Sequence, residues 1–97
     1  MELNIPQKYR QDIENAKVLL KNEGCRDIFL FGSLVTGKIR EDSDIDMGIK
    51  GIPEGKFLQL YSRLYFDFDT KIDLVDFDTN VDFYSMLSGL GEVIQIG

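Results

Sequence analysis

Apolar residues recur at helical spacing in two long segments of the chain, and each recurrence predicts an amphipathic helix. The first helix is predicted to run from Pro6, with Asn4 as its cap, to about Asn22, and Gly24 is a natural stop. Its apolar stripe consists of Ile5, Tyr9, Ile13, Ala16, Leu19 and Leu20. The second stripe consists of Phe57, Leu60, Tyr61, Leu64, Tyr65 and Phe68. We expect both stripes to face the core.

Three other segments have the patterns of strands. Residues 28–31 are uniformly apolar, which is typical of a strand buried on both faces. Residues 44–50 and 70–76 alternate between apolar and polar positions, so each predicts a strand with one apolar face. In the first of these, Asp44, Asp46 and Gly48 share a face that is predicted to receive something polar.

Shorter signals complete the order of elements. A short helix is predicted at residues 33–36, another at 81–87 ended by Gly89 and Gly91, and a last strand near 93–96. The resulting order is α, β, short α, β, α, β, α, β. Alternation of this kind predicts an α/β (α+β) layered domain around a small sheet, with residues 1–97 forming one domain.

Composition limits the chemistry that this domain can perform. The chain has 97 residues, one cysteine and no histidine, which excludes an internal disulfide, a Ser-His-Asp triad and a histidine-ligated zinc site. A bound metal must therefore have oxygen ligands, which favours magnesium, manganese or calcium. The net charge of −6 argues against direct, non-specific nucleic-acid binding. No secretory signal or membrane-spanning stretch is recognisable, so we expect a cytoplasmic protein without membrane contact.

Three aspartates form the main candidate site. Side chains two residues apart on a strand point to the same side, so Asp44 and Asp46 can converge on one or two metal ions. Asp73 interrupts an otherwise apolar strand and is the candidate third ligand, or the base that accepts a proton from an attacking hydroxyl. The Asp44–Asp46 pair alone, or Asp73 alone, is typical of a solvent-facing strand. Their joint occurrence is unfavourable for stability unless a cation is bound, because clustered carboxylates repel one another.

The dipeptide Gly32-Ser33, ten residues before Asp44, is the candidate phosphate-binding element. Glycine lets the backbone approach a ligand closely, and Ser33 can begin a short helix and offer its hydroxyl. Lys38 and Arg40 could meet a triphosphate from the following loop, although such charges are more often simply solvated.

These motifs together resemble those of the minimal nucleotidyltransferases, in the DNA polymerase β-type superfamily. The matching residues are Phe31-Gly32-Ser33, Gly37, Ser43-Asp44-Ile45-Asp46 and Ile72-Asp73-Leu74-Val75. The resemblance implies the nucleotidyltransferase fold, a small mixed sheet flanked by helices. It implies catalytic and metal-binding roles for Asp44, Asp46 and Asp73, nucleotide binding by Gly32 and Ser33, and ATP with two Mg²⁺ ions. Many members carry an arginine soon after the Gly-Ser pair, whereas Leu34, Val35 and Thr36 stand there in this chain.

The resemblance also implies a partner. Stand-alone proteins of this kind resemble the antitoxin of a two-gene module whose toxin is a helical HEPN-type ribonuclease, and in that family AMP is transferred from ATP to a toxin tyrosine. Two alternatives stay open: an antitoxin that masks its partner without catalysis, and nucleotidyl transfer to a small molecule. Self-association is also left open.

Overall fold

The computed structural model describes residues 5–40 and 42–97. Its elements, in chain order, are α1 (Gln7–Asn22), β1 (Asp27–Phe31), α2 (Ser33–Thr36), β2 (Ile45–Lys50), α3 (Phe57–Phe66), β3 (Ile72–Asp76), α4 (Val81–Leu90) and β4 (Val93–Gln95). The predicted order of helices and strands is confirmed, and so is the mixed α/β class.

The four strands form one mixed sheet in the order β3-β2-β1-β4. Strand β1 pairs antiparallel with β2 and with β4, whereas β2 and β3 are parallel. The parallel pair needs a crossover, and α3 provides it, as expected for a βαβ unit. Beyond β4, the amides of Ile96 and Gly97 still donate to the carbonyl of Ile28.

One face of the sheet carries the main aliphatic core. The even-numbered residues of β1 and the odd-numbered residues of β2 point to this face and pack against α1 and α3. The buried members of this cluster include Tyr9, Ala16, Leu20, Ile28, Leu30, Ile45, Met47, Ile49, Leu60, Leu64, Ile72 and Leu74. Alternation along the strands therefore sends one set of side chains into a helix-covered core and the other set to the opposite face.

The opposite face is partly covered by an aromatic cluster. Phe29, Phe31, Phe77 and Leu87 are buried there, with α4 above them. Gly48 also lies on this face, and a Cβ atom at this position would collide with the Phe77 ring. The prediction that the whole face of Asp44, Asp46 and Gly48 receives something polar was therefore wrong for its last member, because an aromatic ring fills the space above Gly48.

The structure corrects several predicted boundaries. Helix α4 continues through Gly89, because a helix interior tolerates glycine at a modest cost. It ends at Leu90, and Gly91 caps it in the left-handed conformation. Helix α3 ends at Phe66, and β3 begins at Ile72. The predicted cap Asn4 lies outside the described residues, and Pro6 stands at the N-cap position of α1.

The aromatic stripe of α3 is only partly a core feature. Phe57, Tyr61 and Phe68 are half-buried against the aliphatic cluster, as predicted. Tyr65 is 53% exposed and forms an edge-to-face pair with the exposed Phe66, because it sits on the outer side of the helix. None of the helices formed by residues 5–40 and 42–97 has the length and apolarity needed to cross a bilayer.

We predict that Gly48→Ala destabilises the fold by about 1–3 kcal/mol, because the added methyl group overpacks the aromatic cluster. Gly89→Ala is the matched control. No atom lies within 4 Å of a Cβ placed at Gly89, so this helical substitution should be neutral or stabilising by up to about 1 kcal/mol. Urea denaturation of both variants measures the difference. Equal stability of the two variants would contradict the packing assignment.

Candidate active site

Asp46 and Asp73 lie side by side on the face of the sheet opposite the aliphatic core. They are register partners in the parallel strands β2 and β3. Adjacent strands are about 4.8 Å apart, and register partners point to the same face. The structure therefore brings together the two carboxylates that the sequence separates by 27 positions. Their register is fixed by the neighbours Ile45 and Ile72, which are both buried in the aliphatic core.

Asp44 and Lys71 lie next to this pair, each two residues before one of its members. The register that pairs Ile45 with Ile72 places Asp44 opposite Lys71, and the amide of Ile45 donates to the Lys71 carbonyl at 2.9 Å. The Lys71 ammonium forms an ion pair with Asp44, with 3.6 Å between Nζ and Oδ2. We refer to Asp44, Asp46, Lys71 and Asp73 as the charged quartet. It holds three negative charges and one positive charge.

The local surroundings of Asp46 disfavour its charged form. Partial burial, followed by the charges of Asp73 and Asp44, raises the pKa of Asp46 to about 6, although Lys71 acts in the opposite direction. The causes are the ones expected where carboxylates share a confined site. The fold therefore carries an electrostatic cost at this position, which is typical of a functional site rather than of a residue kept for stability.

The Gly32-Ser33 turn lies against the same carboxylate. Phe31, the last residue of β1, is the register partner of Asp46, so the chain turns directly beside it. Gly32 has a φ of +76°, and a Cβ there would collide with Oδ2 of Asp46. Only glycine satisfies both the left-handed backbone and the close approach. Ser33 begins the one-turn helix α2, as the sequence predicted.

The donor set suits a hard divalent cation, since it consists of carboxylate oxygens. Within residues 5–40 and 42–97, however, no three side chains of the ligand-forming types are gathered closely enough to hold a metal ion as they stand. Asp44 is engaged by Lys71 instead. Metal binding by Asp44, Asp46 and Asp73 thus stays a prediction, and a cation at Asp44 would compete with Lys71.

The loop between α2 and β2 is fixed by a tyrosine that sequence reasoning assigned only to the core. The buried Tyr9 hydroxyl donates to the Ser43 carbonyl at 2.9 Å, and its second, longer contact is to the Arg40 carbonyl at 3.4 Å. The Arg40 amide donates to Oγ of Ser43. These bonds position the residue immediately before Asp44. The signal for this role was not visible in the sequence, because it depends on a contact between α1 and a distant loop.

Lys71 is the second residue that sequence reasoning missed. It is two positions before Asp73, so strand alternation could have placed it on the carboxylate face. The sequence-based candidates for a phosphate-binding cation were Lys38 and Arg40, which the structure places in the exposed loop after α2. Lys71, by contrast, forms an ion pair with the Asp44 carboxylate.

Comparisons with known proteins agree with this geometry. The family model described as "Polymerase beta, Nucleotidyltransferase" matches residues 14–94. A search of curated proteins finds no match. The solved structures of similar fold include two toxin–antitoxin complexes. One is a toxin–antitoxin with AMP-PNP (25% identity, TM-score 0.66, 84% of this chain and 70% of that chain covered). The other is a mutant of the toxin–antitoxin MntA-HpeT (21% identity, TM-score 0.64, 87% and 70% covered). The predicted superfamily and fold are confirmed.

We predict that Asp46→Asn stabilises the metal-free protein near neutral pH. The pKa of Asp46 is higher in the folded state than the ordinary value of 3.8, so its ionisation costs folding free energy as pH rises from about 4 to above 6. With one pKa unit equal to about 1.4 kcal/mol and some allowance for solvent access, we expect a gain of about 1–2 kcal/mol at pH 7.5 that shrinks towards pH 4.5. Denaturant unfolding in chelator at both pH values measures it.

Asp27→Asn is the control with the opposite sign. The hydrogen bond from Arg26 lowers the pKa of Asp27, so this carboxylate contributes stability above about pH 4 and loses it as pH falls. Its substitution should destabilise at pH 7.5. A loss of stability for Asp46→Asn at pH 7.5, or a gain that does not depend on pH, would contradict the assigned electrostatics.

Proposed function

Because this chain belongs to the polymerase β nucleotidyltransferase family, we propose that it transfers AMP from ATP to a tyrosine hydroxyl of a HEPN-type ribonuclease toxin and so acts as an antitoxin. The observation that carries the proposal is the position of the Gly32-Ser33 turn against Asp46, which is itself paired with Asp73. At this point, backbone N–H groups that can bind a phosphate adjoin carboxylates that can bind cations. Nucleotidyl transfer requires both.

Each residue of the site has a distinct role in this proposal. Gly32 and Ser33 hold the triphosphate through the backbone and the Ser33 hydroxyl. Asp44 and Asp46 hold Mg²⁺, with Asp73 as the third carboxylate. When bound, the metal ions neutralise phosphate charge and activate the attacking oxygen. The raised pKa of Asp46 supports this role, since a bound cation would remove the cost of its ionisation.

The reaction exchanges one phosphorus–oxygen bond for another. The tyrosine oxygen attacks the α-phosphorus of ATP, a new oxygen–phosphorus bond forms, and the bond to pyrophosphate breaks. The hydroxyl proton passes to the Asp73 carboxylate, and pyrophosphate leaves with the electron pair of the broken bond. The products are an AMP–tyrosine ester on the acceptor and free pyrophosphate.

Two observations support a nucleotide as donor and a protein as acceptor. One structure of similar fold is a toxin–antitoxin with AMP-PNP, an ATP analogue. The described surface also exposes large apolar side chains on α3 and α4, namely Leu58, Tyr65, Phe66, Met86 and Leu90. Exposed apolar residues of this kind are common where one protein binds another.

The experiment is to incubate the protein with ATP, Mg²⁺ and the toxin encoded beside it, and to measure the mass of the toxin. We expect a gain of one or more AMP units, located on a tyrosine. Asp44→Asn and Asp73→Asn should each reduce the rate by about 100-fold or more, because each removes a charge that acts on the reacting groups. Asp67→Asn is the matched control, since Asp67 pairs with Arg63 at the end of α3 and should leave the rate unchanged.

The second candidate is an antitoxin that masks its partner without catalysis, which the exposed apolar side chains would also support. Neutralisation of the toxin in cells separates the two. Under the catalytic proposal, Asp46→Ala abolishes neutralisation while complex formation persists. Full neutralisation by Asp46→Ala, together with no AMP gain for the unmodified protein, would establish masking instead.

A further inference from the structure

We propose that Lys71 is a displaceable counter-ion: it neutralises Asp44 in the metal-free protein and turns to the nucleotide triphosphate when a divalent cation binds Asp44. This inference rests on the proposed function, because it concerns the same nucleotide site. It assigns the cationic triphosphate contact that Leu34, Val35 and Thr36, directly after Gly32-Ser33, do not supply.

The ion pair has the properties of a contact that can open. The Lys71 and Asp44 side chains are 55% and 39% exposed, and their separation of 3.6 Å is longer than that of a close charge-assisted hydrogen bond. Exposed pairs of this kind contribute little to stability. The flexible lysine stem lets the ammonium move without any change in the backbone, which the Ile45–Lys71 hydrogen bond keeps in the sheet.

Among the other cations with described contacts, Lys8 lies over the Tyr9 ring and lines the pocket that Asp44 and Lys71 also line. Arg10 donates to the Ile5 carbonyl, and the rest are engaged elsewhere. Lys56 pairs with Glu23, Arg63 pairs with Glu23 and Asp67, and Arg26 pairs with Asp27. Lys21 donates to a backbone carbonyl, and Lys50 lies over the Tyr84 ring. Lys71 is therefore placed to supply positive charge to a face that carries three carboxylates and would receive a triphosphate.

The position of Lys71 complements that of the Gly-Ser turn. The sheet order β3-β2-β1 puts Lys71 beside the outer strand β3 and Gly32 at the end of β1, with Asp44 and Asp46 between them. Two strand spacings amount to about 9–10 Å. A triphosphate held by the Gly32-Ser33 turn at one end can therefore meet the mobile ammonium at the other, across the two carboxylates.

The proposal predicts opposite effects of Lys71→Met on two equilibria. Without nucleotide, the variant should bind Mn²⁺ about two- to fivefold more tightly, because Asp44 loses its competing cation. The Mn²⁺-loaded variant should bind a non-hydrolysable ATP analogue about 10- to 100-fold more weakly, because a charge-assisted contact to phosphate is lost. Lys71→Arg keeps the charge and should restore most of the nucleotide affinity.

Mn²⁺ binding is measured by the electron paramagnetic resonance signal of free Mn²⁺, and nucleotide binding by calorimetry. Lys56→Met is the matched control, since it also removes a lysine and one ion pair, with Glu23, but lies outside the quartet, and both affinities should stay unchanged. Lys38→Met and Arg40→Met test the two loop cations.

Two results would overturn the proposal. One is that Lys71→Met weakens Mn²⁺ binding or leaves nucleotide affinity unchanged. The other is that Lys38→Met or Arg40→Met causes the nucleotide loss instead. If the unmodified protein binds Mn²⁺ and nucleotide but transfers no AMP to the toxin, the acceptor assignment fails, and the affinities of Lys71→Met still decide the role of Lys71. If it binds neither, the proposed function fails, and the role of Lys71 fails with it.

Discussion

The parallel pairing of β2 with β3 is the constraint on which the site depends. It places Asp46 beside Asp73 and Asp44 beside Lys71, although the two strands are separated in sequence by the whole of α3. A shift of β3 by one residue relative to β2 would turn β3 over, moving Asp73 to the core face and Ile72 away from it. Burial of Ile45 and Ile72 in the aliphatic core thus maintains the electrostatically unfavourable arrangement on the other face.

The two faces of the sheet have different roles, since one forms the main core and the other carries the candidate site. One face is closed by α1 and α3 and supplies most of the buried apolar surface. The other face is closed over only part of its area, by Phe77 and the residues of α4, while Asp46 and Asp73 lie on the remainder. Gly48 marks the border between these parts, because its missing side chain leaves room for the Phe77 ring. The aromatic cluster thereby reaches the strand that carries the carboxylates without covering them.

Charge explains how the proposed nucleotide substrate is compatible with a net charge of −6. The carboxylates of the quartet repel phosphate unless cations accompany it, so nucleotide binding and cation binding are expected to be coupled. The raised pKa of Asp46 reflects the burial of this carboxylate and its proximity to Asp73 and Asp44. Lys71 pairs with Asp44, and under the proposal it would contact the triphosphate once a metal ion binds Asp44.

The sequence by itself determined the order of the elements, the aspartates and the Gly-Ser turn, because periodicity, glycine and charge are local properties of the chain. It also indicated the superfamily, since the spacing of these motifs resembles the spacing found in that superfamily. Only the tertiary structure decided which residues meet. The Phe77 ring above Gly48, the Tyr9 bond to Ser43 and the Lys71 pair with Asp44 join residues from separate elements. Such contacts depend on strand register and on the packing of helices, which no local pattern of residues specifies.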